Sequence, residues 1–247
     1  MIVTSVIAVL GVSTSFAALV MERDQSVDTA PSVGMYRFEV PVELQGTYNS
    51  AGVANLTASM EKEPNTLSMN VAHVKGNPSE SYVVEIYKDL AAIEAHRKSD
   101  HYQAFVNEVG SKLTNRKMYD VQSVLLFEKK DALSIVNDGK AVVTLTEFTV
   151  DSNEIDTVQR QYELDIERAV RDDAGYKAGY VLRERNAKNH WYIIQVYSDQ
   201  DALTKHLNSP GYRFMMSQIQ GSLQNVTTKV LDGDILVNHG GQVFVRP

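Results

Sequence analysis

Apolar and polar positions follow two alternating rhythms along the chain, and both rhythms occur twice. Tyr36 to Val42 places Phe38, Val40 and Val42 on one face, and Val142 to Val150 does the same with Val143 and Leu145, the period of two expected of half-buried strands. A helical spacing follows, clear in Ile155, Val158, Tyr162, Ile166 and Val170, and weaker in Val53, Leu56 and Met60. Leu67 to Lys75 and Tyr176 to Arg185 predict a second strand. Tyr82 to Tyr87 and Tyr192 to Tyr197 predict a third, with Gly76-Asn77-Pro78 and Asn186 to Asn189 as turns. Asp89 and Asp199 stand as N-caps of a short helix reaching His96 or His206. Ser99 and Ser209 cap a further helix, with inner stripes Tyr102, Phe105, Val106, Val109, Leu113 and Tyr212, Met215, Met216, Ile219, Leu223. Val121 to Phe127 and Val230 to Val237 complete the set as last strands.

These pairs share one spacing. Tyr87 and Tyr197 are 110 residues apart, and the same interval carries Ala92 to Ala202, His96 to His206, Ser99 to Ser209, Tyr102 to Tyr212, Leu113 to Leu223 and Phe38 to Phe148 without a gap. Chance similarity between helices would drift over such a span, so the chain reads as a tandem duplication. The predicted units span residues 35–130 and 141–240, behind a segment 1–34. Each has the order β-α-β-β-α-β of the ferredoxin-like split unit, an α+β class. A four-stranded sheet with helices on one face leaves its other face uncovered, and two units in one chain can pack sheet to sheet and enclose a shared interior.

Composition narrows the functions. With 247 residues and 43% hydrophobic content the chain can build ordinary soluble cores, and a formal charge of -7 with no concentrated basic face argues against nucleic acid as a partner. The absence of cysteine excludes disulfides, thiolate nucleophiles and iron–sulfur clusters. Met1 to Val20 carry no charge, and Val6 to Val12 followed by Ser15-Phe16-Ala17 has the form of a signal-peptide core with a cleavage site. The Lys or Arg that usually opens such a segment is missing, so an N-terminal strand or a membrane anchor is the alternative. Glu22 to Gly34 reads as a polar tether with Pro31 and Gly34 as breakers. The expected location is periplasmic or secreted, with the cytoplasm as the alternative.

The run Glu85-x-Tyr87-x-Asp89-x-x-Ala92-x-x-x-His96-x-x-Ser99-x-His101-Tyr102-x-x-Phe105 resembles the signature of the antibiotic biosynthesis monooxygenase family, and Tyr197 to Tyr212 is similar except for Gly211 in place of the later histidine. The resemblance covers about 200 residues over both copies. It implies a dimeric α+β barrel, here formed within one chain as a monomeric pseudo-dimer. It also implies a cofactor-free oxygenase that uses molecular oxygen on a small aromatic substrate, expected in the interior between the sheets. A deprotonated quinol or polycyclic phenol passes an electron to dioxygen itself, so the protein need supply only a dry cavity, a base and hydrogen-bond donors. A non-catalytic ligand-binding or stress-related protein of the same fold is the rival reading. Haem degradation, known among relatives, is disfavoured because the lone Trp191 has no matching histidine partner.

Within that frame His73, His101 and Tyr87 are the candidate catalytic residues, with either histidine as base and Tyr87 as donor. Asn70, Glu85, Arg183 and Tyr197 are candidates for binding substrate. Alternation sets Asn70 on the face opposite to Met69, Val71 and His73, so these cannot all line one cavity. His96 and His206 recur at equivalent positions and read more simply as structural residues at helix ends, while surface placement is the bland alternative for His101. Glu154, Asp156, Glu163, Asp165 and Glu167 read as the solvated face of one helix, and no metal site is expected.

Overall fold

The structure, a computed structural model, describes residues 30–247, so the export-like segment lies almost wholly outside the described residues. The first half runs β1 (Ser32–Glu39), α1 (Gln45–Lys62), β2 (Thr66–Val74), β3 (Asn77–Tyr87), α2 (Leu90–Lys98), α3 (Asp100–Glu108), β4 (Thr114–Tyr119) and β5 (Val121–Glu128). A short β6 (Leu133–Val136) leads into the second half: β7 (Val142–Val150), α4 (Ile155–Asp172), β8 (Tyr176–Glu184), β9 (His190–Tyr197), α5 (Gln200–Leu207), α6 (Pro210–Ile219) and β10 (Leu223–Asn238), with β11 (Val243–Val245) at the end. Shifted by 110, α1 coincides end to end with α4 and β2 with β8. Even the left-handed backbone of Asn115 (φ 45°) recurs at Asn225 (φ 53°).

Asp89 and Asp199 cap as their positions predict, each accepting a 2.8 Å hydrogen bond from the backbone N–H three residues on. Ser99 and Ser209 do the same for Tyr102 and Tyr212 at 3.3 and 3.1 Å.

The two halves form one closed sheet rather than two separate layers. β4 pairs with β1 of its own half, whereas β5, directly after it, pairs with β8 of the other half. β10 mirrors this, pairing first with β7 and then, from Leu231 onward, with β2. The last strand of each half thereby crosses onto its neighbour and closes the ring β8-β9-β7-β10-β2-β3-β1-β4/β5. This is the intrachain α+β barrel. Its interior is filled by Met35, Tyr82, Ile86, Leu126, Leu182, Tyr192 and their neighbours, while a second and a third core lie between the barrel's outer surface and the helices of each half.

Several boundaries differ from the sequence reading. The first strand begins at Ser32, so Gly34 belongs to it instead of ending a tether. A Cβ there would stand 2.9 Å from the Tyr36 side chain, so a larger residue would have to displace that ring. The last strands are longer than predicted because Thr114 to Lys117 and Gln224 to Lys229 are exposed on both faces and show no alternation. Pro78 lies in β3 rather than in a turn, next to a shift in register between β2 and β3. Asp165 is buried, bonded to Arg168 and 3.4 Å from His206 Nε2, which corrects its assignment to a solvated face.

Candidate functional site

A cavity of about 220 Å³ opens in the first half, between the outer face of the sheet and the helices. This corrects the expected location between the sheets, because the barrel interior is packed with side chains. β1 contributes Tyr36 and Phe38, β2 Val71 and His73, and β3 Ser81, Val83, Glu85 and Tyr87. α1 roofs the cavity with Tyr48, Gly52 and Asn55, α2 adds Ile93 and His96, α3 adds Tyr102 and Phe105, and β10 closes one side with Asp234 and Ile235. Strand alternation explains the β3 set, since Ser81, Val83, Glu85 and Tyr87 are successive residues of one face.

The polar groups are few and specifically held. His73 Nδ1 lies 2.9 Å from both Asp234 carboxylate oxygens, with Asp232 Oδ2 3.8 Å from Nε2. The hydrogen bond to Asp234 raises the His73 pKa above its ordinary value, against the downward pull of burial, and the charges of Asp234 and Asp232 add to it. Desolvation pushes the Glu85 carboxyl up, although His96 and the Tyr87 hydroxyl oppose it. Tyr87 donates to Glu85 Oε2 at 3.0 Å. Burial, with the Glu85 charge, holds that phenol protonated far beyond the usual range, which makes Tyr87 a donor and not a base. Tyr48 Oη and Ser81 Oγ share a 3.0 Å hydrogen bond. Asn55 Oδ1 and His96 Nε2 are buried without a hydrogen-bond partner among the described residues.

In the second half the same volume is filled. Gly52 corresponds to Tyr162, Ser81 to Trp191 and Thr66 to Tyr176, all three buried. Tyr162 and Trp191 stack on Phe148 with ring centroids 5.8 and 6.4 Å away. Glu85 is replaced by Gln195, His73 by Arg183 and Asp234 by Val124, so the Glu85 carboxylate and the His–Asp pair have no counterpart there.

The structure therefore brings together three of the seven residues singled out from sequence, namely His73, Tyr87 and Glu85. Asn70 faces the barrel interior, as alternation predicts, and donates to Ser68 Oγ at 2.9 Å. Arg183 and Tyr197 belong to the second half. Arg183 is pushed down in pKa by burial and by nearby Arg246, while Tyr197 packs among Tyr176 and His206. His101 lies outside the cavity wall, 2.7 Å from Glu63 Oε1. His96, which reads from sequence as a helix-end residue, lines the cavity and places Nδ1 3.0 Å from Glu63 Oε2. Tyr48, Asn55 and Asp234 were not singled out from sequence. The signal for the first two was the poor apolar stripe of α1, whose inner face borders a cavity instead of a core.

Comparison with known proteins agrees with this architecture. The sequence profile described as antibiotic biosynthesis monooxygenase matches residues 33–108 and again 141–217. A candidate monooxygenase of Lactobacillus acidophilus NCFM superimposes with a TM-score of 0.80 at 19% identity, covering 87% of this chain and 99% of its own. A second, from Fusobacterium nucleatum, gives 0.78 at 20%, covering 89% and 100%. A protein described as anthrone oxidase-like gives 0.53 at 11%, covering 90% and 98%. At these identities the likeness concerns the fold. No curated protein matches. Two successive matches to one profile, spanning more than half of the chain, establish that this protein belongs to the antibiotic biosynthesis monooxygenase family as a tandem repeat.

Proposed function

We propose that the first-half cavity is the site of a cofactor-independent monooxygenase acting on a quinol-like or polycyclic phenolic molecule. The observation that carries this reading is the asymmetry of the two halves. One half keeps a cavity walled by aromatic side chains with a His–Asp pair at its edge, and the other fills the equivalent space with Tyr162 and Trp191. The volume falls just under the roughly 300–1,000 Å³ of drug-sized sites, which suits a compact ring system. A structural relative described as anthrone oxidase-like is consistent with such a substrate class.

In this reading His73 Nε2 takes the proton of an acidic ring position or hydroxyl, while Asp234 on Nδ1 fixes the imidazole and stabilises its charged form. The anionic substrate gives one electron to dioxygen, and recombination at a ring carbon forms a hydroperoxide. Loss of water then leaves a quinone. For an anthrone the ring methylene supplies both hydrogens of that water, so the substrate is its own reductant and one oxygen atom is retained. Tyr87 and Tyr48 provide hydroxyl groups in the wall, and the surrounding Phe38, Val71, Val83 and Phe105 keep the anion dry.

The test is oxygen uptake by the purified protein with a panel of hydroquinones and anthrones. Uptake should be lost in His73→Ala by about 10²–10⁴-fold, the usual contribution of a positioned base. Uptake by the native protein no greater than by that variant rejects the proposal. Export with cleavage after Ala17 is a separate part of the reading, and an intact Met1 on protein recovered from the periplasm or medium contradicts the cleavage.

A further inference from the structure

Behind the cavity wall three helix ends meet at one carboxylate. Glu63 is the C-cap of α1, His96 lies in the last turn of α2 and His101 in the first turn of α3. His96 Nδ1 stands 3.0 and 3.2 Å from the two Glu63 oxygens, His101 Nε2 stands 2.7 Å from Oε1, and the three donor atoms lie within 4.8 Å of one another. We propose that Glu63, His96 and His101 bind a divalent transition-metal ion, with Zn²⁺ as the simplest occupant. The proposal stands apart from the oxygenase reading, because it concerns ion binding and does not require turnover.

Two imidazoles and a carboxylate form a donor set suited to Zn²⁺, Fe²⁺, Co²⁺ or Ni²⁺ and poorly suited to Ca²⁺ or Mg²⁺. Ligand bonds of about 2.1 Å place neighbouring donors about 3–4 Å apart around a shared ion, so the observed group needs only a small adjustment. Supporting contacts are present too. Thr66 Oγ1 donates to Glu63 Oε2 at 2.7 Å and orients the carboxylate, as the hydrogen-bonded carboxylates of metal sites require. His96 is fully buried, while Glu63 and His101 keep 15% and 13% of their side-chain surface exposed, which leaves a route for the ion and a coordination position for water.

The second half keeps two of the three positions, with Asp173 for Glu63 and His206 for His96, but lacks the third donor. His101 is replaced by Gly211, and a Cβ at Gly211 would collide with the guanidinium of Arg168, which pairs with Asp165. The guanidinium of Arg168 thus stands where the His101 side chain begins in the first half, and the counterpart of Arg168 there is the small Ala58. The first-half site is also joined to the cavity. Ligation at Nδ1 confines the His96 ring proton to Nε2, the buried atom without a partner. In His206 the same atom lies 3.4 Å from Gln195, the counterpart of cavity-lining Glu85. An ion at Glu63 would therefore make His96 a hydrogen-bond donor on its inner side and clamp the three helices that roof the cavity.

The experiment uses the full chain without an affinity tag, stripped with a chelator and titrated with Co²⁺ while ligand-field absorption is followed, then with Zn²⁺ in competition. One equivalent of Co²⁺ should bind with a visible spectrum, Zn²⁺ should displace it and raise the melting temperature, and Mg²⁺ and Ca²⁺ should do neither. Glu63→Gln and His101→Gln should each weaken Co²⁺ by more than about 100-fold, beyond the loss seen for outer-shell changes. His190→Gln, which alters a histidine bonded to Glu147 elsewhere, should bind as the native protein does. Should Glu63→Gln fail to fold, His101→Gln decides alone, since that side chain lies on the surface side of the cluster. No ligand-field spectrum in the native protein, or an unchanged affinity in His101→Gln, overturns the proposal and leaves the cavity reading untouched.

Discussion

Tyr162 lies flat against Phe148, ring centroids 5.8 Å apart, in the space that its counterpart Gly52 leaves open in the first half. A Cβ on Gly52 would point across the cavity to within 3.2 Å of Ile235 Cδ1. Side chains longer than alanine at this position must therefore enter the cavity. Gly52→Leu should abolish binding of aromatic ligands. It should lower stability by no more than about 2 kcal/mol, because the helix propensity gained over glycine, about 1 kcal/mol, offsets part of an overpacking cost of about 1–3 kcal/mol. Isothermal titration with an anthrone, together with circular dichroism, checks both halves of that statement.

The second half carries the opposite expectation. Trp191 is fully buried, stacks on Phe148 and donates from Nε1 to the Lys188 carbonyl at 2.8 Å. Trp191→Ala removes ring packing and a hydrogen bond together. Chemical denaturation should show a loss of about 3–5 kcal/mol with ligand binding at the first-half cavity unchanged.

The His73–Asp234 pair sets a pH dependence of definite sign. The folded-state pKa of His73 is raised, chiefly by its hydrogen bond to Asp234, so the stability it contributes is complete below about pH 6.5 and is lost as pH rises through the higher folded value. Oxygen uptake should run the other way, rising with pH as the imidazole loses its proton. Asp234→Asn should move that rising limb to lower pH. A limb that stays in place in Asp234→Asn removes His73 as the base.

A second titration lies in the barrel interior. Asn70 donates to Ser68, Ser68 shares a 3.1 Å hydrogen bond with Tyr180, and Tyr180 donates to Glu128 at 2.8 Å. Desolvation raises Glu128 to about 7, despite the opposing bonds from Tyr180 and the backbone at Gln242. The folded state therefore favours the protonated acid. Its contribution to stability is present below the unfolded value of about 4.3 and falls away as pH rises to about 7. Glu128→Gln should be more stable than the native protein at pH 8, by something on the order of 3 kcal/mol, and close to it at pH 4. Urea denaturation at the two pH values measures the difference.

Much of this molecule is legible from periodicity alone. The interval of 110 residues is a regularity of the sequence as a whole, while the caps at Asp89, Asp199, Ser99 and Ser209 and the opposite facing of Asn70 and His73 are local properties, and all recur in the structure. The closure of the barrel was partly hidden, because the crossing strands begin with exposed polar stretches, Thr114 to Lys117 and Gln224 to Lys229, that carry no alternation. The candidate site was half visible. His73, Glu85 and Tyr87 share one face of neighbouring strands, but Asp234 arrives from a strand of the other half, some 160 residues away, and no local pattern marks that contact. The weak helical stripe of α1 was the overlooked sign, since Gly52 and Asn55 interrupt it where an apolar core would need none.

Equilibrium titration of a tricyclic anthrone against the native protein, Gly52→Leu and Trp191→Ala under exclusion of oxygen measures directly where a ligand binds. A first-half site requires one equivalent bound by the native protein and by Trp191→Ala, and none by Gly52→Leu. Binding of equal strength to Gly52→Leu, or a ligand lost only with Trp191, would contradict it.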